Sequence, residues 1–462
     1  MKKVLPQLSR AQWMWLAFLG FVFSGGTPVR GQFERAEAFA PYYAIPTGPR
    51  VAAVTICDLN GDGRNDVAAT TTELGNTNDN NLLVFWQNSQ GQLQSPVRYN
   101  TWQRGESVVA ADFNSDGKAD IAVGIGIGIR VYLQQTGGIF ELSTNFVTYN
   151  SHLICAGDFN NDGRSDIVGI GGSSRKVAIF TQTAEGTLVL AAERASTYDG
   201  NGGDDIEAGD VNGDGLTDIA IMASRHLAVL LQTNGMLGSN YVVPVQFPHS
   251  TGVGIGDVTG EGRSDVVVAL WGNRPQSKIA VVPQTWSGTL TSMTTYAAYD
   301  MPTATVVADV DLDGHNDVIL LHDSWSRVGV LFGPTFETEQ LFPVLYSPFE
   351  VHGLAVGDIN NDELPDIVLG ARDSRLGNPE QGLLILTNRL HPPPLRVSRI
   401  SRDPGGHIRI AITYRGDRNI AVQASDTLAN WTTVGTMTTN TWIDTNAPSS
   451  GRRLYRLCSD GR

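Results

Sequence analysis

The chain has 462 residues, of which 17% are charged and 41% apolar, and its formal net charge is −14. That length allows a sizeable core or a series of repeated units, and the acidity argues against a nucleic-acid partner held through its phosphates. Three cysteines, Cys57, Cys155 and Cys458, are too few, and odd in number, for a disulfide framework, and read as small buried strand residues.

The first element is not part of the fold. Lys2, Lys3 and Arg10 precede an apolar run from Trp13 to Phe23, and small residues follow at Ser24, Gly25 and Gly26. This reads as a secretory signal peptide over residues 1–31, cleaved after Gly31 and too short to span a bilayer. The mature chain is therefore expected to be exported, without a transmembrane segment, and more acidic still. Next comes an orphan segment, FERAEAFAPYYAIPTG, that precedes any repeat.

From Asp58 onward one acidic phrase returns seven times: DLNGDGRND, DFNSDGKAD, DFNNDGRSD, DVNGDGLTD, DVTGEGRSD, DVDLDGHND and DINNDELPD. The copies begin at Asp58, Asp112, Asp158, Asp210, Asp257, Asp309 and Asp358, a period near fifty residues. Such a period marks an array of units that must stack to bury a core. Short apolar, β-branched runs flank each copy, as in RVAAVTIC before and DVAAT after the first, and predict strand, acidic turn, strand. A third run follows (LLVFWQN, IRVYLQQ and their counterparts), then a weaker fourth carrying aromatics. Four strands in each of seven units predict an all-β fold, a seven-bladed β-propeller over residues 32–390. The seventh unit has no fourth run of its own. The orphan segment resembles the fourth-strand segment FETEQLFPVLYSPFE, so Phe33 to Ile45 is expected to close the ring as the outer strand of the last blade. Small residues before each phrase, Cys57 and Gly157 among them, are expected to let neighbouring blades approach closely.

A proline linker, residues 391–394, leads to residues 395–462. Their alternating apolar and polar pattern (HIRIAITY, NIAVQAS, WTTVGTM, RRLYRL) predicts a small β-sandwich-like module without acidic phrases.

The chemistry lies in the phrases. Side chains at positions 1, 3 and 5 converge when the chain coils tightly, glycine at position 6 permits the turn, and a carbonyl at position 7 and a carboxylate at position 9 complete a shell. Oxygen donors at high coordination number suit Ca²⁺ better than Mg²⁺ or Zn²⁺. The expected ligands are Asp58, Asn60, Asp62, Arg64 and Asp66 in the first copy, and Asp112, Asn114, Asp116, Lys118 and Asp120 in the second. They are Asp158, Asn160, Asp162, Arg164 and Asp166 in the third, and Asp210, Asn212, Asp214, Leu216 and Asp218 in the fourth. The sixth contributes Asp309, Asp311, Asp313, His315 and Asp317, and the seventh Asp358, Asn360, Asp362, Leu364 and Asp366; residues at position 7 act through their carbonyls. The fifth copy has Thr259 and Glu261 where Asn and Asp are usual, leaving Asp257 and Asp265. The seventh has Glu363 in place of glycine, which strains the turn. Five to seven Ca²⁺ ions are expected. Two carboxylates 4 Å apart repel by roughly 4 kcal/mol at an effective dielectric of 20.

These phrases, set in β units of this length, resemble the FG-GAP/VCBS repeats of integrin α-subunit propellers and of many exported bacterial proteins. The resemblance implies Ca²⁺ loops on one face and ligands on the other, where loops between second and third strands emerge. The two longest such loops carry Asn78 and Asp79, and Arg372 and Asp373. With Trp102 and Arg104 they are the candidate ligand-binding residues, for an extracellular glycan or protein. His152, His352, Glu106 and Asp204 occupy equivalent places six residues before their phrases and form a candidate polar rim. No nucleophile elbow, HExxH or phosphate loop occurs. The leading expectation is a secreted, monomeric, calcium-binding adhesion or binding module. A carbohydrate-active enzyme such as a polysaccharide lyase, or a structural surface protein, are the alternatives.

Overall fold

The computed structural model describes residues 37–390 apart from 73–79, 148–150, 172–175, 196–203, 224, 246–249, 323–324, 345–351 and 372–381. Beyond them it describes 397–402, 407–412, 420–425, 432–437, 441–444 and 454–459. Among these residues the regular structure is β-strand throughout, and no helix is long and apolar enough to cross a membrane.

Seven four-stranded antiparallel sheets follow one another along the chain. Their first strands are Arg50–Cys57, Gly105–Ala111, Leu153–Gly157, Asp205–Gly209, Ser250–Gly256, Pro302–Ala308 and Leu354–Gly357. Each contacts the next, and the last contacts the first, so the seven surround an axis. The fold is a seven-bladed β-propeller.

Apolar side chains collect between blades rather than in one centre. Seven separate clusters occur, each built from two adjacent sheets. The cluster of Val51, Val67 and Phe85 with Ile359, Val368 and Ile385 joins the seventh blade to the first. Second strands such as Asp120–Ile125 are buried along their whole length, because both faces meet a neighbouring blade. Close approach at the axis needs small residues. A Cβ on Gly256 would lie 2.5 Å from Val307 of the next blade, and one on Gly357 would lie 3.0 Å from Ile56.

The N-terminal segment closes the ring. Tyr43–Pro46 pairs antiparallel with Gly382–Leu386, with Tyr43 opposite Ile385, and gives the seventh blade its outer strand. A bridge between Phe39 and Asn388 extends the join. The strand ends one residue beyond the expected Ile45, while residues 33–36 of the expected segment lie outside the described residues.

After the propeller, Val397–Arg402, Ile408–Ile412 and Thr441–Asp444 form one three-stranded sheet. Ile420–Ser425, Thr432–Met437 and Leu454–Ser459 form another.

Candidate metal loops and the opposite face

Each acidic phrase connects the first and second strands of its blade. In every copy the residue just before the phrase pairs with the aspartate at its ninth position, as in Gly157 with Asp166 and Gly256 with Asp265. Between these ends the chain coils around its own carboxylates. Asp158 Oδ1 accepts from the Asp162 N–H at 3.1 Å and Asp158 Oδ2 from Gly163 at 2.8 Å. Asn160 Oδ1 also accepts from Asp162, and Asp162 Oδ1 from Arg164. The same pattern recurs at Asp58, Asp112, Asp210 and Asp358. Such Asx turns gather positions 1, 3 and 5 on the inside of one coil.

The left-handed turn at position 6 is real. Gly63, Gly117, Gly163, Gly215, Gly262 and Gly314 have φ between 79° and 91°. Glu363 holds φ at 70° in the seventh copy and still donates its N–H to Asp358 Oδ2 at 2.8 Å. That loop keeps the common shape at the expense of a strained non-glycine residue.

The ninth-position aspartates are fully buried. Asp166 accepts the Phe159 N–H at one oxygen (3.1 Å) and the Gln182 N–H at the other (2.8 Å). Burial, opposed by these hydrogen bonds and reinforced by the carboxylates at positions 1 and 5, raises Asp66, Asp120, Asp166 and Asp218 to about 6. Asp366 rises to about 7. Asp317, the most enclosed, reaches about 8, with burial first and the Asp311 charge second.

In the sixth blade Asp309, Asp311 and Asp317 each offer an oxygen within 4.8 Å of the others. Oxygen–cation distances of about 2.3–2.6 Å would fit one hard cation between them. The donor set is carboxylate and amide oxygen, so the residues fit Ca²⁺. In the first three copies the basic residue at position 7 folds onto position 5: Arg64 onto Asp62, Lys118 onto Asp116 at 3.1 Å, Arg164 onto Asp162. The fifth copy keeps this pairing despite its changed residues. Arg263 folds onto Glu261, and its guanidinium lies 4.0 Å from the centre of the exposed Trp286 ring.

Two features of the loops escaped the sequence reading. The position-2 residues Leu59, Phe113, Phe159, Val211, Val258, Val310 and Ile359 are all essentially buried, and anchor each loop in an inter-blade cluster. Burying one such side chain contributes roughly 1.5–3 kcal/mol. In blades two, three, four, five and seven a glutamine or asparagine closing the third strand ties to the loop of the preceding blade. Gln182 Nε2 donates to the Asp112 carbonyl, Gln232 Nε2 to Asp158 and Asn388 Nδ2 to Val310. The invariably apolar second position and the recurring glutamine were the available signals.

At the other end of the inner strands the expected rim is partly assembled. His152 Nε2 lies 3.9 Å from Glu106, and Arg104 lies 3.6 Å from the same carboxylate. His352 Nε2 lies 3.1 Å from Asp205, a pair that spans the axis between blades seven and four. Asp205 opens the inner strand, accepts the Val253 N–H from blade five and so points at the axis, while the Asp204 N–H serves the adjoining strand. Nearby Glu207 is wetted along the axis yet crowded by protein, and burial raises it to about 7, with Asp205 adding and His352 opposing.

Of the expected ligand residues, Asn78, Asp79, Arg372 and Asp373 lie outside the described residues. Trp102 is 55% exposed and sits at φ 51°, its N–H donating to Asn100 Oδ1 at 2.6 Å. Arg130 stacks on its ring at 4.7 Å, a partner the sequence did not single out. A second aromatic corner, also missed, joins blades five and six. Arg274 pairs with Asp300 and covers Tyr299 at 4.3 Å, and Tyr299 meets Trp325 edge to face.

The FG-GAP-like repeat family matches residues 58–123 and 158–221, spans that contain the first to fourth phrases. The chain is a β-propeller that carries FG-GAP-like repeats over these spans. A search of curated proteins finds no match. Among solved structures, the FG-GAP propeller is similar to BBS1N, seen in complex with ARL6DN, at 15% identity and a TM-score of 0.50, over 76% of this chain and 97% of that one. It is also similar to an Agrocybe aegerita lectin described as recognising non-reducing terminal N-acetylglucosamine, at 20% identity and a TM-score of 0.47, over 73% and 86% of the two chains. At these identities the likeness to BBS1N speaks to the fold alone.

Proposed function

We propose that this propeller is an exported, calcium-stabilised binding or adhesion module for an extracellular glycan or protein, acting as a monomer. The observation that carries the reading is the division of labour between the two faces. One face holds seven coiled acidic loops, each anchored by a buried second residue in a cluster between blades. The other presents aromatic rings beside guanidinium groups, at Trp102 with Arg130 and at Tyr299 with Arg274. Exposed aromatics flanked by polar groups suit sugar rings and peptide side chains.

Within this reading, five to seven Ca²⁺ ions are held by the carboxylates and amides of the phrases. When bound, calcium supplies charge neutralisation, not reaction chemistry. The ninth-position aspartates keep their backbone hydrogen bonds and offer their remaining lone pairs. The residues 1–31 serve export, and the C-terminal sheets serve attachment to a partner or surface. A glycan array probed with the full chain tests the binding role. Retention of defined glycans without turnover supports it, whereas release of unsaturated sugars would make the protein a lyase.

A further inference from the structure

Among the described residues, Arg130 is a buried arginine with no carboxylate beside it. It belongs to the third strand of blade two and is 8% exposed. Its Nε and Nη1 have no hydrogen-bond acceptor, and among the described residues no carboxylate pairs with it. The Tyr132 hydroxyl, which donates to the Asn100 carbonyl at 3.1 Å, lies against the same guanidinium. A buried cation with no anionic partner is costly. Arg274, at the other aromatic corner, is neutralised by Asp300, and Arg104 is engaged by Glu106.

The cover over Arg130 is unusual as well. Trp102 lies in the connection between blades one and two, on the face opposite the acidic loops. Its ring is more than half exposed while shielding the guanidinium beneath. The backbone around it is pinned by Asn100 Oδ1 to the Trp102 N–H, by Asn80 O to the Thr101 N–H and by Thr101 Oγ1 to the Gln103 carbonyl. The residue nevertheless sits in the left-handed region that favours glycine. A pinned backbone with a solvent-facing ring leaves side-chain rotation as the available motion.

We propose that Trp102 is a lid over Arg130, and that together they recognise an acidic sugar. Its anionic oxygens seat on the open guanidinium nitrogens, and its ring packs against the displaced indole. Arginine nitrogens without acceptors suit a carboxylate, and an aromatic face suits the C–H face of a pyranose. In a chain of net charge −14, a guanidinium with no carboxylate beside it is a local point of attraction for an anion. This inference rests on the binding role proposed above and names its ligand class.

The test is titration of the full chain with D-glucuronate, read by tryptophan fluorescence and calorimetry, with D-glucose and acetate at equal concentrations as comparisons. Saturable binding of glucuronate, at least tenfold weaker for glucose and acetate and weakened by added salt, is expected. Arg130→Met should abolish it while keeping or raising Tm, because an unpaired buried charge is removed. Trp102→Ala, at an exposed position, should weaken it about tenfold and remove the fluorescence change. Equal binding of glucose, undiminished binding by Arg130→Met or by Trp102→Ala, or no binding of glucuronate would overturn the assignment. An array that retains neutral glycans alone would sink this site and leave the binding role standing. An array and a protein screen that retain nothing would sink the binding role itself.

Discussion

Gln182 of blade three donates its side-chain amide to the Asp112 carbonyl of blade two at 2.9 Å, while its backbone N–H serves Asp166 of its own blade at 2.8 Å. One residue thus joins two acidic loops, and the loops belong to the joint between blades. Gln182→Ala should cost about 1–2 kcal/mol, since a buried carbonyl loses its donor. Urea unfolding of the purified variant measures this; an unchanged midpoint would show that the joint does not depend on the amide.

The seventh loop carries its own strain. Glu363 occupies φ 70°, where six other copies have glycine. Glu363→Gly is expected to stabilise the protein by about 1 kcal/mol, the low end of the cost of a left-handed non-glycine residue. A thermal melt with no gain, or with a loss, would indicate that the Glu363 side chain makes a compensating contact.

Glu207 predicts a pH dependence. Crowding by protein around the axis, with the Asp205 carboxylate adding, raises this solvent-facing group to about 7 in the folded chain, against an ordinary value of 4.5. The folded state therefore takes up a proton across that interval, and stability contributed by the neutral carboxyl is present below about 4.5 and lost as pH rises through about 7. Glu207→Gln should be more stable than the parent at pH 8 and equal to it at pH 4. Melting curves at the two pH values decide it, and a gain that is the same at both would remove the titration from the explanation.

Ring closure by the N-terminal segment has a consequence for association. Removing residues 33–46 would leave Gly382–Leu386 as an open edge with unpaired backbone groups. Self-association on sedimentation is expected. A shortened chain that remains monomeric and equally stable would contradict closure by this strand.

The period of the acidic phrase, the β-branched runs around it and the orphan segment's likeness to fourth strands made the architecture legible. They are local patterns repeated seven times. What the sequence concealed depends on residues far apart in the chain. Asn388 reaches the Val310 carbonyl 78 positions away. His352 meets Asp205 across the axis, a contact between blades four and seven that no local pattern announces. Arg130 sits under Trp102 through the pairing of two blades, and neither residue stands in a motif. Glu363 was readable in advance, because glycine at position 6 of every other copy exposes its one exception.

The central claim is that the acidic loops bind calcium and that the bound ions stabilise the propeller. Isothermal titration of the metal-stripped full chain with Ca²⁺, paired with melts in calcium and in chelator, tests it most directly. Five to seven ions are predicted, with about 2.7 kcal/mol of stabilisation from each independent site at a hundredfold excess over Kd. Asp162→Ala should lose one ion and Thr259→Ala none. No heat of binding, together with a Tm that chelation leaves unchanged, would contradict the account.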